Sequence, residues 1–144
     1  MKIASNVEGV VFTNGCFDIP HAGHGWLLRK AKELGSFLVV GVDSDRSVVK
    51  VKGREPIFGE DERLALVKAH ADVDVAFVFE TEELEGIIEE IRPSVIVKGD
   101  DYKTELEVVG WQYAQVRLIP RLPHISTSEI MRRVMDRLCP REEV

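Results

Sequence analysis

Short runs of consecutive apolar residues alternate along this chain with stretches in which apolar positions recur every three or four residues. Val10-Val11-Phe12 predicts a buried strand, and Trp26 to Leu34 predicts an amphipathic helix with Gly35 as its stop signal. Phe37 to Val42 reads as a second strand, apolar on both faces. Asp43 to Phe58 reads as a short helix or turn followed by a basic loop containing Gly and Pro. Helical pattern resumes near Glu60, with Leu64, Val67 and Ala71 on one face. Val75 to Phe79 is the third strand. The helix after it takes Thr81 as N-cap, Glu82 and Glu83 in its first turn, and Leu84, Ile87, Ile88 and Ile91 as its inner face, and Pro93 ends it. Val95-Ile96-Val97, a helix-like stretch from Glu105 to Tyr113, and Val116 to Ile119 follow. Ser126-Thr127-Ser128-Glu129 opens a final helix whose predicted buried stripe is Ile130, Val134 and Leu138, and Ser126 and Glu129 have the spacing of a capping box.

Fully apolar strands separated by helices imply a parallel sheet covered on both faces. The fold expected is α/β: a Rossmann-like, doubly wound, five-stranded parallel sheet with right-handed crossovers, the whole chain forming a single domain. Ligands of such sheets bind beyond the carboxyl ends of the strands. That rule gathers Asn14 to His24, Lys98 to Tyr102 and Arg121 to Ser128 onto one rim. The end at Glu142-Glu143 reads as frayed.

Bulk properties narrow the function classes. A chain of 144 residues, 44% hydrophobic and 31% charged, has the makeup of a soluble globular protein. No apolar run approaches a membrane span, and Met1 to Gly9 lack the apolar core of a signal peptide. Cys16 and Cys139 form no disulfide framework, which agrees with a reducing, cytoplasmic setting. A net charge of -6 argues against a general nucleic-acid binder, so any phosphate site must be locally basic. Arg29-Lys30 with Lys32, and Lys50, Lys52 and Arg54, are the basic places.

The chemistry gathers in Phe12-Thr13-Asn14-Gly15-Cys16-Phe17-Asp18-Ile19-Pro20-His21-Ala22-Gly23-His24. A strand that turns directly into a helix aims free backbone N–H groups and the positive end of the helix dipole at one spot, which suits a phosphate. His21 and His24 project from the first turn on one face. Gly23 keeps no side chain between ligand and backbone, and Gly15 permits a tight turn. Pro20 removes an N–H and restricts Ile19, which reshapes the approach to His21. On the residues alone, two ordinary helix histidines satisfied by capping also fit. A metal pair lacks further ligands, since only His70 and His124 remain and no CxxC is present. At the last helix, Thr127 and Ser128 beside Arg121 offer a second hydroxyl-rich helix start with a guanidinium nearby.

Asn-Gly-Cys-Phe-Asp-Ile-x-His-Ala-Gly-His resembles the HxGH nucleotidyltransferases, the cytidylyltransferase-like superfamily. Arg121 with Ile125-Ser126-Thr127-Ser128 resembles that family's phosphate element, and Lys52-Gly53 with Arg63 its loop lysine and helix arginine. Val42-Asp43-Ser44-Asp45, Val51-Lys52-Gly53 and Glu107-Val108-Val109-Gly110 look most like heptose 1-phosphate adenylyltransferases, whereas Gly99-Asp100-Asp101 and the last loop look closer to glycerol-3-phosphate cytidylyltransferases.

The resemblance implies transfer of NMP from an NTP, ATP or CTP, to a sugar or polyol phosphate, with Mg²⁺ bound through the phosphates and no protein metal site. His21 and His24 would donate to the α-phosphate, and Lys52 and Arg121 would hold the β- and γ-phosphates. The nucleotide would also touch Asn14, Gly15, Cys16, Phe17, Gly23, Lys98, Gly99, Asp100, Ile125, Ser126, Thr127 and Ser128. The acceptor would touch Asp18, Lys50, Arg63 and Asp101. Neither nucleic acid nor membrane is an expected partner; a second copy of the chain, as a homodimer, is. The rival from a different class is a catalytically silent nucleotide-binding module.

Overall fold

The computed structural model describes residues 8–142. The amino-terminal residues read above for a leader, and Glu143 of the end read as frayed, lie outside them. Five strands, β1 (Val10–Gly15), β2 (Phe37–Asp43), β3 (Val75–Phe79), β4 (Val95–Gly99) and β5 (Gln115–Ile119), pair in parallel in the order β3-β2-β1-β4-β5. Helices α1 (Ala22–Glu33), α2 (Asp45–Lys52), α3 (Glu60–Lys68), α4 (Leu84–Ile91) and α5 (Thr127–Leu138) connect or follow them. This is the doubly wound α/β architecture the alternation predicts. The order reverses at β1, so the crevice beyond the carboxyl ends of β1 and β4 is the place where such sheets bind ligands.

The central strands β1 and β2 bury both faces, whereas the edge strand β5 leaves Gln115 and Arg117 exposed. Val11, Leu38, Val40, Val42 and Val97 pack with Leu28 and Ala31 of α1 on one side. Val10, Phe12, Val39, Phe79 and Ile96 pack with Leu84 and Ile88 of α4 on the other. Gly35 is demanded by close approach rather than by a left-handed cap: a Cβ there would lie 2.1 Å from the Gly9 carbonyl oxygen, which accepts from Ser36 N–H.

Several expectations need correction. Glu105 to Tyr113 is no helix: a single 3₁₀ turn, Glu105–Glu107, precedes irregular turns in which Val108 is buried while Trp111 stays exposed. Thr81 begins a 3₁₀ turn capped by Glu80, with α4 proper starting at Leu84. Ala71 lies beyond the end of α3. The largest departure is α5, which buries none of its residues; Val134 and Leu138, two of the three residues expected to be buried, are 50% and 72% exposed.

Candidate active site

The site begins at the mouth of α1. His21 is the N-cap residue: its backbone is extended (φ -145°, ψ 175°) and its Nδ1 accepts the Gly23 N–H at 3.0 Å. His24, three residues on, returns its own Nδ1 to the His21 N–H at 3.3 Å. Two imidazoles thus form a reciprocal capping box, the arrangement usually made by a hydroxyl and a carboxylate. Their rings stack with centroids 3.8 Å apart and planes inclined by 22°.

The caps decide the tautomers. A nitrogen that accepts a backbone N–H carries no proton, so a neutral ring must carry it on Nε2. Burial lowers the pKa of His21, and burial with the neighbouring His21 and Lys52 lowers His24 to about 4. Both rings are therefore neutral near neutral pH, and each keeps one Nε2–H to donate outward. Gly23 has a reason beyond ligand access, because a Cβ there would lie 2.8 Å from the His21 ring.

The loop entering α1 is held under strain. Phe17 and Ile19 have φ of 54° and 47°, a left-handed conformation that a β-branched residue before proline strongly disfavours. Asp18 holds it there: its carboxylate accepts from the N–H groups of Ile19, Ile57 and Phe58 at 3.1, 2.8 and 2.9 Å, and its carbonyl accepts from Thr127 Oγ1 at 2.8 Å. Asp18 is buried, and its carboxylate ties two loops together instead of facing an acceptor. Phe17 is likewise core, its ring 5.4 Å from that of His24.

Arg63 overturns its assignment more completely. Its side chain is fully buried and donates to the carbonyls of Phe58, Cys16 and Asp43 at 2.9, 2.7 and 2.6 Å and to the Asp45 carboxylate at 2.8 Å. A guanidinium so occupied holds the ends of β1 and β2 to α3 and is not free to grip an acceptor phosphate. Lys50 pairs with Glu82 on the protein surface. Lys52 differs: it ends α2 instead of sitting in a loop, its ammonium has no ion-pair partner among the described residues, and its charge acts on His24, Cys16 and Asp43. The Cys16 thiol is pushed up by burial, partly offset by Lys52 and Arg63.

The start of α5 closes the other side. Ser126 caps the helix by accepting from Glu129 N–H at 3.1 Å, but Glu129 does not reciprocate; its carboxylate pairs with Arg132 and Arg133. Ile125 lies 3.5 Å from where a Gly23 Cβ would be, so the two helix mouths adjoin. Arg121 bonds Asp100 at 3.0 Å and Asp101 at 2.9 Å. With Leu122, His124, Ile125 and Ser126, Arg121 and Asp100 line a cavity of about 390 Å³. Gly99 ends β4 beside Arg121, and Ser128 is exposed on the first turn of α5.

On the rim between β1 and β4, Lys98 Nζ donates to the Asn14 carbonyl at 2.7 Å and lies 3.4 Å from its side-chain oxygen. Burial pulls this lysine down to about 8, resisted by the Asp43 and Asp101 charges. Burial pushes the Asp43 carboxyl and the Tyr102 hydroxyl up. The sequence places Tyr102 on the ligand rim and Asp43 in a family-like stretch but assigns neither an individual contact. The usable signal was Asp43 closing an otherwise apolar strand at its ligand-facing end.

The cytidylyltransferase-like family model matches residues 12–133. "Bifunctional protein HldE" of Campylobacter concisus (strain 13826) is 46% identical over 129 residues, covering 88% of this chain and 27% of that protein. The protein of the same name from Helicobacter acinonychis (strain Sheeba) is 42% identical over 131 residues, covering 90% and 28%. The chain thus spans under a third of the length of these relatives. A lipopolysaccharide core biosynthesis protein from Thermoplasma volcanium GSS1 superposes with a TM-score of 0.66 at 33% identity, covering 78% of this chain and 95% of that one. Pantothenate synthetase from Thermus thermophilus, at 17% identity and a TM-score of 0.59 over 87% of this chain and 64% of that one, shares the fold. With that family model matching residues 12–133, most of its length, this chain belongs to the cytidylyltransferase-like family.

Proposed function

We propose that this chain is a nucleotidyltransferase that moves NMP from an NTP, ATP in the favoured reading, to a sugar phosphate, heptose 1-phosphate in the favoured reading. An oxygen of the acceptor phosphate attacks the α-phosphorus in line. The bond from that phosphorus to the α,β-bridging oxygen breaks, and pyrophosphate leaves with the electron pair. No covalent enzyme intermediate is required, so the protein contributes alignment and charge stabilisation.

The observation that carries this reading is the reciprocal imidazole cap, which leaves two neutral Nε2–H donors side by side at a helix N-terminus. They serve the α-phosphate and the bridging oxygen as negative charge grows there. Lys52, unpaired among the described residues, takes the β- and γ-phosphates together with Arg121. For Arg121 this means exchanging the Asp100 and Asp101 carboxylates for phosphate oxygens.

Mg²⁺ enters as the counter-ion of the triphosphate and, when bound, neutralises charge on the phosphate oxygens. Asp100 and Asp101 are the rim carboxylates that would hold its water shell. The reading also includes a homodimer in the cytoplasm. The uncovered apolar face of α5 supports self-association, and no helix of the described residues is long and apolar enough to cross a membrane.

A pyrophosphate-release screen of ATP, CTP and UTP against heptose 1-phosphate and glycerol 3-phosphate tests the reading. ATP with the heptose phosphate should be the fastest pair. CTP with glycerol 3-phosphate as the fastest pair would replace it with a polyol-phosphate cytidylyltransferase. Nucleotide binding without pyrophosphate release from any pair would replace it with a silent binding module.

A further inference from the structure

The strand register places a second polar cluster on the rim that the phosphate chemistry does not use. Side chains alternate between faces along a strand. Phe12, Val39 and Ile96 lie in the core on the side away from α1, so Asn14, Gly41 and Lys98, two residues further along, face that same side. Asp43 follows Gly41 on that face and pairs in register with Phe79 of the same core. Tyr102 packs against this core from the loop after β4. Asn14, Asp43, Lys98 and Tyr102, from three strand ends and one loop, thus surround the crevice at which the strand order reverses.

Their hydrogen bonding is incomplete in a specific way. Lys98 takes both oxygens of Asn14, which leaves the carboxamide nitrogen as an unused donor, for it makes no hydrogen bond among the described residues. The Asp43 carboxylate likewise accepts none among the described residues, although it is half-buried and feels the Lys98 charge. Lys98 Nζ stands 5.6 Å over the Tyr102 ring, and the Tyr102 hydroxyl is unbonded among the described residues.

One ammonium and one carboxylate sum to no net charge. The group as a whole presents both donors and acceptors beside an aromatic face. A phosphate, acceptor-rich and anionic, does not fit that balance. A chain of carbon-bound hydroxyls does, because each hydroxyl donates once and accepts, and the C–H edges between them pack on an aromatic ring. Lys52 links the two places, since its charge reaches both His24 and Asp43.

We infer that Asn14, Asp43, Lys98 and Tyr102 form the subsite for the hydroxyl-bearing carbon chain of the acceptor, beside the imidazole pair and on the face of the sheet away from α1. This rests on the transferase reading above, and it moves Asn14 and Lys98 from the nucleotide to the acceptor.

Steady-state pyrophosphate release by the full chain at saturating NTP tests it, comparing wild type with Asp43→Asn and Tyr102→Phe. The acceptor KM should rise roughly ten- to a hundred-fold in Asp43→Asn, as for loss of a charge-assisted hydrogen bond, and severalfold in Tyr102→Phe, while the NTP KM stays unchanged. An unchanged acceptor KM, or an NTP KM that rises in step with it, overturns the subsite and leaves the transferase intact. A wild type that releases pyrophosphate with no sugar or polyol phosphate overturns the transferase reading itself. Independently of how the variants fold, NMR of the wild type should show contacts between the Tyr102 ring and carbon-bound protons of the sugar phosphate, and their absence counts against the subsite.

Discussion

The two helix mouths that adjoin on the rim, those of α1 and α5, are built in opposite ways. Leu28 and Ala31 of α1 are buried in the core, so its amino end and the two imidazoles capping it are fixed to the sheet. α5 buries no residue; its anchors lie in its first turn, at the Ser126 cap and the Thr127 hydroxyl bond to Asp18. The donors assigned to the reacting phosphorus therefore sit on the rigid helix. Arg121, one of the two residues assigned to the outer phosphates, precedes the helix that hangs from the rim, whereas Lys52 ends α2. Rigid support where charge develops is the arrangement that preorganisation favours.

The comparison can be broken most forcefully from the core side. Leu28→Ala should cost about 2–5 kcal/mol of stability by urea unfolding, as for a buried leucine. His24→Ala should lower kcat about a hundred- to a thousand-fold with little change in nucleotide affinity, the effect of losing one transition-state donor, and normal turnover would remove the pair from the chemistry.

Next comes the pH response. His24 takes its proton near pH 4 when folded, against 6.5 for its ordinary value. Between these values the unfolded chain binds more protons, so stability should fall as pH drops from about 6.5 to about 4. The melting temperature should follow that fall in wild type and less steeply in His24→Gln.

On the α5 side, Thr127→Val should cost about 0.5–1.5 kcal/mol, one hydrogen bond, while raising the NTP KM. Smallest of all, Leu138→Ala should change the unfolding free energy of the monomer by no more than about 0.5 kcal/mol. A loss as large as that from Leu28→Ala would mean that α5 is core after all.

Legibility in the sequence followed the range of the interaction concerned. The strands were readable because burial on both faces leaves unbroken apolar runs such as Phe37 to Val42. The His pair was readable because its spacing from Gly23 is local. Glu105 to Tyr113 misled, since Leu106 in its single 3₁₀ turn and Val109 and Trp111 in the irregular turns after it are all exposed. The stripe on α5 misled for another reason: apolar periodicity is genuine there, but periodicity records an apolar face without saying what covers it.

By itself the sequence determined the order of strands and helices, the loop that carries the imidazoles and the family to which the chain belongs, because these depend on residues close together along the chain. Tertiary structure alone decided that Arg63 is a buried tie, that Asp18 is a clamp, and that Asp43, Asn14 and Lys98 meet across three strands. Those roles are set by partners tens of residues away, and a side chain's chemistry is available to a ligand only when the fold has not already used it.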